Sequence, residues 1–247
     1  MKVEKKAEFL QEWLQKVIER TGSRGVVLGL SGGLDSAVVA ALAVRALPGR
    51  CLGIIMPCHS AAQDMEHAVE VAEKIGLPYK TIVLDQAFDQ LYSLYTRDQP
   101  PPPERERLLR GNIKARLRMV TLYYQAQLHD YLVVGTGNKS EITVGYSTKY
   151  GDHGVDLQLL GDLVKQEVYE LAVYLELPPS VINKAPSGGL WDGQTDEEEL
   201  GFTYAELDSY LLTGEGDKKT VERIRRMHRA SEHKRCMPPV ALLPRRQ

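Results

Sequence analysis

A short glycine-rich segment, with the sequence SGGLDS, contains the residue types that bind phosphate groups. Two adjacent glycines, Gly32 and Gly33, permit a tight turn in which the backbone comes close to a ligand. Ser31 and Ser36 supply hydroxyl donors on either side, and Asp35 supplies a carboxylate. A carboxylate beside a phosphate is repulsive unless a cation separates them, and Mg²⁺ is commonly held by carboxylates together with phosphate oxygens. The segment therefore predicts a site for a polyphosphate and a divalent cation.

The residues around this segment predict a strand before it and a helix after it. Residues 26–30 form a short apolar run that is typical of a buried strand, and residues 35–47 are rich in Ala, Val and Leu. A helix that begins directly after the loop presents free N–H groups and the positive end of its dipole to an anion. The loop lacks the lysine of a Walker A motif. A simpler interpretation, in which Asp35 only caps the helix, stays open.

Further strands and helices alternate along the chain. The pattern predicts strands at 51–56, 80–84 and 131–134 and helices at 5–20 and 61–75. This alternation predicts an α/β fold with a doubly wound parallel sheet, helices on both faces and a single domain over residues 1–247. Mobile loops are expected near 86–105, which contains QPPPP, and near 185–202, which is Gly-rich and acidic.

The charge of the chain is balanced overall but unevenly distributed. The 247 residues include 31 Lys and Arg against 33 Asp and Glu, which argues against a nucleic-acid or membrane-surface protein. Ten of the basic residues but only two acidic ones lie in 218–247, so a basic C-terminal segment is expected at 217–247. This segment is either a solvated helix face or a region that closes over an anionic ligand.

Two further features favour a cytoplasmic protein. No apolar run approaches the roughly 18 residues that span a bilayer. Cys51, Cys58 and Cys236 show no CxxC spacing, which favours free thiols in a reducing compartment. We therefore expect a protein that binds neither a membrane nor nucleic acid.

Longer strings of residues carry a resemblance to a known family. The SGGLDS segment resembles the pyrophosphate-binding loop of the N-type ATP pyrophosphatases, which cleave ATP between its α and β phosphates. Two more strings, NIKARLRM at 112–119 and TGNKSEITVGYSTKYGD at 136–152, narrow this resemblance. Together with EHKR at 232–235, they make nearly the whole chain similar to the stand-alone, ammonia-dependent NAD synthetases.

The resemblance implies a fold, a reaction and partners. The fold would be adenine nucleotide α-hydrolase-like. The reaction would be the ATP-dependent amidation of deamido-NAD (nicotinic acid adenine dinucleotide) by ammonia, the final step of NAD biosynthesis. It would pass through an adenylated carboxylate and release AMP and pyrophosphate. Mg²⁺ would be the cofactor, ATP a co-substrate, and the protein a homodimer with its substrate near the subunit interface. Glutamine use would need an additional amidase region, for which the match leaves no room, so free ammonia is expected.

The resemblance also implies roles for individual residues. The implied catalytic residues are Asp35, Glu141 and Lys165, of which Asp35 and Glu141 would bind Mg²⁺. The residues implied to bind ATP are Gly29, Leu30, Ser31, Gly32, Gly33, Leu34, Asp35, Ser36, Thr136, Lys165 and Ser187. The residues implied to bind deamido-NAD are Arg116, Lys149, Asp156, His233 and Lys234. The chain departs from the family at Gln166 and Ser187, where Thr is common.

Simpler alternatives stay open beside these assignments. Glu141 could be an exposed helix acid, Lys165 a surface charge and His233 a solvated residue of the tail. Two other functions also remain. An RNA-modifying ligase of the same loop class would need a basic face with interleaved aromatic residues. A non-catalytic nucleotide-binding module would not need Glu141, Lys165 and Lys149 in addition to Asp35.

Overall fold

The sheet has five parallel strands in the computed structural model, which describes residues 1–191 and 195–243. The strands are β1 Gly25–Gly29, β2 Cys51–Ile55, β3 Tyr79–Thr81, β4 Tyr131–Gly135 and β5 Leu157–Gln158. Their spatial order is β3-β2-β1-β4-β5, and each neighbouring pair is parallel. Along the chain, β2 and β3 follow on one side of β1, and β4 and β5 then follow on its other side. The sheet therefore changes its winding direction between β1 and β4.

Helices connect the strands and cover the sheet. They are α1 Val3–Thr21, α2 Leu34–Ala46, α3 Ala62–Ile75, α4 Asp85–Thr96, α5 Pro103–His129, α6 Lys139–Val144, α7 Lys165–Tyr174, α8 Pro179–Ile182, α9 Asp196–Leu200, α10 Tyr204–Thr213, α11 Lys218–Ala230 and α12 Glu232–Arg235. None of the helices in the described ranges combines the length and the apolar character that crossing a bilayer requires.

Alternate side chains of β1 point to opposite faces of the sheet, and both faces are covered. Val26 and Leu28 pack into a core with α1, α2, α3 and α7, whereas Val27 packs into a second core with α4 and α5. Successive residues of a strand face opposite sides, so a continuous apolar run is buried only when both sides are covered. The predicted α/β fold, with a doubly wound parallel sheet in a single domain, is confirmed.

The C-terminal helices form a third, smaller core beside α6. Val144 of α6 packs there with Leu200 of α9, Leu207 of α10 and Ile224 of α11, and all four side chains are buried. This third core attaches the C-terminal part of the chain to the segment that follows β4.

Most of the predicted elements are confirmed, with two exceptions in the strands. The strand predicted at 80–84 was wrong in its position, because β3 covers only Tyr79–Thr81 at the edge of the sheet. β5 was not predicted at all, since a strand of two residues is too short to show a periodic pattern.

The expected loops are shorter than predicted. The loop near 86–105 was wrong over most of its length, because Phe88 and Tyr92 lie one turn apart on α4 and pack into the second core. Residues 97–102, with most of the proline run, have no regular structure. In the loop near 185–202, α9 is helical and residues 192–194 lie outside the described residues. The mobility of both loops stays a prediction.

The position of α1 can be tested through Leu14, which is fully buried in the first core. We expect Leu14→Ala to lower the free energy of unfolding by about 2–5 kcal/mol, because it removes buried methyl groups and leaves a cavity. Denaturant unfolding followed by circular dichroism measures this change. The control is Phe9→Ala on the exposed face of α1, which should change the free energy by less than about 0.5 kcal/mol. Equal losses in the two variants would contradict this packing.

Candidate active site

The site lies at the carboxyl edge of the sheet, where the loops after β1 and β4 leave the sheet side by side. β1 and β4 are neighbours from which the chain continues to opposite sides, so a crevice opens between their loops. A cavity of about 570 Å³ occupies this crevice. Of the residues predicted to bind ATP, those that line it are Gly29, Leu30, Ser31, Gly33, Leu34, Asp35, Ser36, Thr136, Lys165 and Ser187.

The glycine-rich loop is held in shape by its own serines. Ser36 Oγ donates a hydrogen bond to Gly33 O at 3.0 Å and accepts the N–H of Ser31 at 3.2 Å. Gly32, which does not line the cavity, has a φ of +72°, and a Cβ there would lie 2.2 Å from the carbonyl oxygen of Asp64. Only glycine fits at that position.

The N-terminus of α2 faces the cavity without a side-chain cap. Its N-cap residue is Gly33, so the interpretation of Asp35 as a simple helix cap was wrong. A helix N-terminus with no capping side chain retains backbone N–H groups that an anion can bind. The loop and the start of α2 together therefore suit a phosphate group.

Asp35, Glu141 and Lys165 meet in the cavity although they come from distant parts of the chain. Lys165 Nζ lies 2.5 Å from Asp35 Oδ2 and 3.5 Å from Glu141 Oε1. The side chain of Lys165 is 10% exposed and that of Glu141 is 18% exposed. The alternatives in which Lys165 is a surface charge and Glu141 an exposed helix acid were therefore wrong.

Asn138 connects the two carboxylates. Its Nδ2 donates to Asp35 Oδ1 at 2.8 Å, and its Oδ1 accepts the N–H of Glu141 at 3.0 Å. Glu141 Oε2 accepts the N–H of Asn138 at 3.2 Å, which completes a capping box at the start of α6. Asn138 is fully buried, so these bonds fix the two carboxylates relative to each other. The sequence analysis missed this connecting role.

The N-terminus of α7, where Lys165 lies, is held by side chains outside the helix. Its N-cap residue, Val164, has no side-chain acceptor. Ser140 Oγ accepts the N–H of Lys165 at 3.2 Å, and Asp208 Oδ2 accepts the N–H of Gln166 at 2.8 Å. Ser140 also donates to Asp208 at 2.5 Å. Gln166 takes part through its backbone, so the missing threonine hydroxyl leaves these contacts intact.

Burial and mutual charge shift the ionisation of these groups. Burial raises the pKa of Glu141 from 4.5 to about 8, and the charge of Asp35 adds to this effect while the ammonium of Lys165 opposes it. Burial by itself would lower the pKa of Lys165, but the charges of Asp35 and Glu141 outweigh it, so the pKa of this ammonium lies above its ordinary value. Lys165 is therefore fully charged near neutral pH.

The donor set suits a small divalent cation that also binds phosphate. The ammonium of Lys165 already lies between Asp35 and Glu141, so the site accepts positive charge. Mg²⁺ usually takes one or two protein carboxylates and completes its octahedron with water and phosphate oxygens. Within 1–191 and 195–243, no cluster of three or more acidic, histidine or cysteine side chains is arranged to hold a metal by itself. Asp35 and Glu141 therefore fit a metal that is shared with a bound polyphosphate.

Two further side chains reach the site that the sequence analysis did not identify. Asp196 is 3% exposed and accepts a hydrogen bond from the Tyr204 hydroxyl at 3.0 Å. The ring centroid of Tyr204 lies 5.1 Å from Lys165 Nζ. Asp196 belongs to the run TDEEEL, whose other acidic residues are exposed. Composition therefore gives no signal that distinguishes this residue.

An ion pair at the cavity connects the glycine-rich loop to the chain that follows α8. Lys184 Nζ lies 2.6 Å from Asp64 Oδ1 and donates to Gly32 O at 3.1 Å. Both charged side chains line the cavity. The sequence offers no signal for this pair, because its members lie 120 residues apart.

The residues predicted to bind deamido-NAD are not gathered at this cavity. Lys234 lines it, whereas Arg116, Lys149, Asp156 and His233 do not. The ammonium of Lys234 donates to the backbone oxygens of Gly145 and Ser147 at 2.7 and 2.6 Å. His233 is exposed on α12, which agrees with the alternative in which it is a solvated residue of the tail.

Of the other three residues, Arg116 is exposed on α5, Lys149 is half-buried in the loop between α6 and β5, and Asp156 is exposed directly before β5. Arg116 Nη2 donates to Lys149 O at 3.3 Å. The carboxylate of Asp156 accepts the Tyr123 hydroxyl at 3.1 Å and the N–H of Val133 at 2.8 Å. Their role in binding deamido-NAD stays a prediction.

Comparisons with known proteins find chains that are similar over nearly the whole length. The family model for NAD synthase matches residues 6–238. A curated NH(3)-dependent NAD(+) synthetase from Syntrophomonas wolfei is 51% identical over 99% of this chain and 98% of its own length. The NMN synthetase structure from Francisella tularensis has a TM-score of 0.89 at 39% identity and covers 99% of both chains. The NH3-dependent NAD synthetase structure from Campylobacter jejuni has a TM-score of 0.79 at 32% identity, over 98% of this chain and 100% of that one.

The raised pKa of Glu141 makes the stability of the fold depend on pH. Between about pH 5 and 8, the folded protein keeps Glu141 protonated while the unfolded chain ionises it, so the folded state binds more protons. The free energy of unfolding should therefore fall as the pH rises, relative to the variant Glu141→Gln, by at most about 1.4 kcal/mol per pH unit. Denaturant unfolding of both proteins with EDTA measures the difference.

Glutamine preserves the capping box, so this variant changes the titration and keeps the start of α6. Glu19→Gln, at an exposed position on α1, is the control and should give a curve parallel to that of the wild type. The shift is disproved if the curves of Glu141→Gln and the wild type are also parallel.

Proposed function

We infer the function of this chain from its family: it belongs to the NAD synthase family, and it catalyses the ATP-dependent amidation of deamido-NAD to NAD with ammonia. It is a ligase that forms a carbon–nitrogen bond in NAD biosynthesis. The observation that carries this inference is the meeting of the glycine-rich loop with Asp35, Glu141 and Lys165 in one cavity, in a chain that matches the family over residues 6–238.

We propose that activation of the carboxylate precedes amidation. A carboxylate is a poor electrophile, so ammonia does not displace its oxygen directly. The nicotinate carboxylate of deamido-NAD attacks the α-phosphorus of ATP, a carboxylate–phosphorus bond forms, and the bond to pyrophosphate breaks. Ammonia then attacks the carbonyl carbon and loses a proton, and AMP leaves as the carbon–oxygen bond breaks. No side chain has to form a covalent intermediate.

The residues of the cavity suit the charges of this reaction. Backbone N–H groups of the glycine-rich loop and of α2 bind the phosphates of ATP. Asp35 and Glu141 would hold Mg²⁺, which when bound neutralises negative charge on the phosphates and on the departing pyrophosphate. Lys165 carries a full positive charge on a flexible side chain, so it can move from Asp35 to the phosphate on which charge develops. Thr136 and Ser187 line the same cavity and offer hydroxyl groups.

A second substrate is favoured by one of the structural similarities. The structure from Francisella tularensis is an NMN synthetase, and its fold matches this chain closely. Nicotinic acid mononucleotide and deamido-NAD carry the same nicotinate carboxylate and differ in the adenylate half. The curated relative supports the dinucleotide as the main substrate.

We propose that the protein acts as a homodimer through α5. Val120, Tyr124 and Leu128 are 59%, 63% and 59% exposed. They are spaced four residues apart, so they lie on one face of the helix and form an apolar stripe. Arg116 lies one turn earlier in the same row. Association along this stripe would bring Arg116 and its neighbour Lys149 to a subunit interface, where deamido-NAD would complete its contacts.

We also propose a cytoplasmic location. The reaction consumes ATP, which is produced and held in the cytoplasm. Cys51, Cys58 and Cys236 are free thiols, which suits a reducing compartment.

The reaction is tested by incubating the protein with ATP, Mg²⁺, ammonium and deamido-NAD and by measuring NAD, AMP and pyrophosphate together. We expect all three products in equal amounts, and Lys165→Met should lower kcat by about 10²–10³-fold because it removes a charge that stabilises the transition state. A parallel assay with nicotinic acid mononucleotide should give a lower kcat/KM.

Lys139→Met is the matched control for this variant. Lys139 also lies beside the site and pairs with Asp162 at 2.9 Å, but its side chain is 38% exposed and does not line the cavity. Its loss should leave kcat within about twofold, as for surface changes. ATP binding without any NAD would favour a non-catalytic module, and AMP release stimulated by RNA would favour an RNA-modifying ligase.

The dimer is tested by placing a charge on the apolar stripe. We expect Tyr124→Glu to convert the dimer into a monomer, because a buried charge without a partner opposes association. Light scattering after gel filtration, at several concentrations, measures the mass. Tyr95→Glu on α4, at a tyrosine that is 62% exposed, is the control and should stay dimeric. A wild-type mass equal to one chain would disprove the proposal.

A further inference from the structure

Helix α6 carries Glu141, and its C-terminal end is bound by basic side chains of the C-terminal segment. α6 has only six residues, and a helix of this length is not stable by itself. The last carbonyl groups of a helix have no partners within it. His228 Nδ1 donates to Thr143 O at 2.9 Å, and Arg235 Nη1 donates to Ile142 O and Thr143 O at 3.1 Å each.

Arg235 connects the end of α6 to the end of α11. Its Nη1 also donates to Ser231 Oγ at 2.9 Å, and its Nη2 donates to His228 O at 2.5 Å. A planar guanidinium can hold several acceptors in a fixed geometry, which a single ammonium cannot do. Its positive charge also lies at the negative end of the helix dipole of α6.

The two segments are in close contact beside Gly145. Gly145, the C-cap of α6, has a φ of +69°, and a Cβ there would lie 2.1 Å from Ser231 Cβ. Lys234 binds the carbonyl groups of Gly145 and Ser147 directly after the helix. The basic segment was expected to be either a solvated helix face or a region that closes over an anion. Neither interpretation predicted that its cations bind backbone carbonyl groups.

We propose that Arg235 is a positioning residue, which sets the place of Glu141 by fixing the C-terminal end of α6. The N-terminal end of α6 is tied to Asp35 through Asn138, so the helix is held at both ends. Without Arg235, the C-terminal end of α6 keeps only the bonds from His228 and Lys234 and the packing of Val144, so it is held less firmly and the Glu141 carboxylate moves relative to Asp35. The inference rests on the proposed function, since it takes Asp35 and Glu141 as the ligands of the metal bound with ATP.

The role of Arg235 is local, because the third core holds the C-terminal helices by other means. Ile224 of α11 is buried in that core with Leu207 and Val144, whereas Arg235 is only half-buried and belongs to none of the three cores. Removing its guanidinium therefore weakens the attachment of the end of α6 and leaves the packing of α11 in place.

The test compares three variants by the binding of Mn²⁺ in the presence of a non-hydrolysable ATP analogue, followed by electron paramagnetic resonance. Arg235→Met removes all hydrogen-bond donors of the side chain but keeps a side chain of similar length. Arg235→Lys keeps the positive charge but can make fewer hydrogen bonds. We expect the dissociation constant of Mn²⁺ to rise about 10-fold in the first and less in the second, as for other residues that orient metal ligands. Arg229→Met, at an exposed position on α11, should leave it unchanged.

Two further measurements separate positioning from general loss of structure. Binding of the ATP analogue with EDTA should be unchanged in Arg235→Met, because the glycine-rich loop is intact. The KM for Mg²⁺ should rise while the KM for deamido-NAD stays constant. A lower melting temperature with unchanged Mn²⁺ affinity, or an equal effect of Arg229→Met, would overturn the inference. If circular dichroism shows that Arg235→Met does not fold, Arg235→Lys decides the test.

Glu141→Gln in the same assay separates a failure of the positioning role of Arg235 from a failure of the proposed metal ligands. If this variant weakens Mn²⁺ binding and Arg235→Met does not, the positioning role alone is wrong. If Glu141→Gln has no effect, the metal ligands of the proposed function are wrong, and the inference falls with them.

Discussion

A buried ammonium between two carboxylates is the interaction on which the rest of the site depends. Lys165 and Asp35 are 130 residues apart in sequence, yet their charged atoms are in contact. A buried charge without a partner costs several kcal/mol, so the ammonium of Lys165 and the carboxylate of Asp35 each require the other. The change of winding direction between β1 and β4 brings Asp35 close to Glu141, and Ser140 and Asp208 hold the helix terminus that carries Lys165.

The parts of this arrangement that the sequence predicts are those encoded in continuous segments. The strand, the glycine turn and the start of α2 follow one another directly, so their chemistry is visible in one string of residues. The roles of Glu141 and Lys165 came from the resemblance to a family, because neither residue lies in the same segment as Asp35. The connecting role of Asn138, the burial of Asp196 and the strand β5 were not predicted for the same reason. Each is defined by a contact with a distant segment, and such a contact leaves no periodic pattern in the sequence.

The basic C-terminal segment shows the same limit in its electrostatics. From composition alone, an excess of Lys and Arg is interpreted as a solvated surface or as a site for an anionic ligand. The carbonyl groups at the end of a helix are equally good acceptors, and every helix has them. Arg235 and Lys234 bind such groups around α6, so part of the charge of the segment has a structural use that a count of residues does not reveal.

The order in which these parts lie along the chain has a consequence for biosynthesis. A ribosome makes the glycine-rich loop early, and it makes residues 228–235 roughly 200 residues later, or about 10–40 s at ordinary rates of translation. During that interval a nascent chain can pair β1 with β2, but α6 lacks the side chains that secure its end. The emerging polypeptide therefore exposes the glycine-rich loop early, and the cavity around Asp35 gains the last of its lining residues, Met227 and Lys234, only when the final helices leave the exit tunnel.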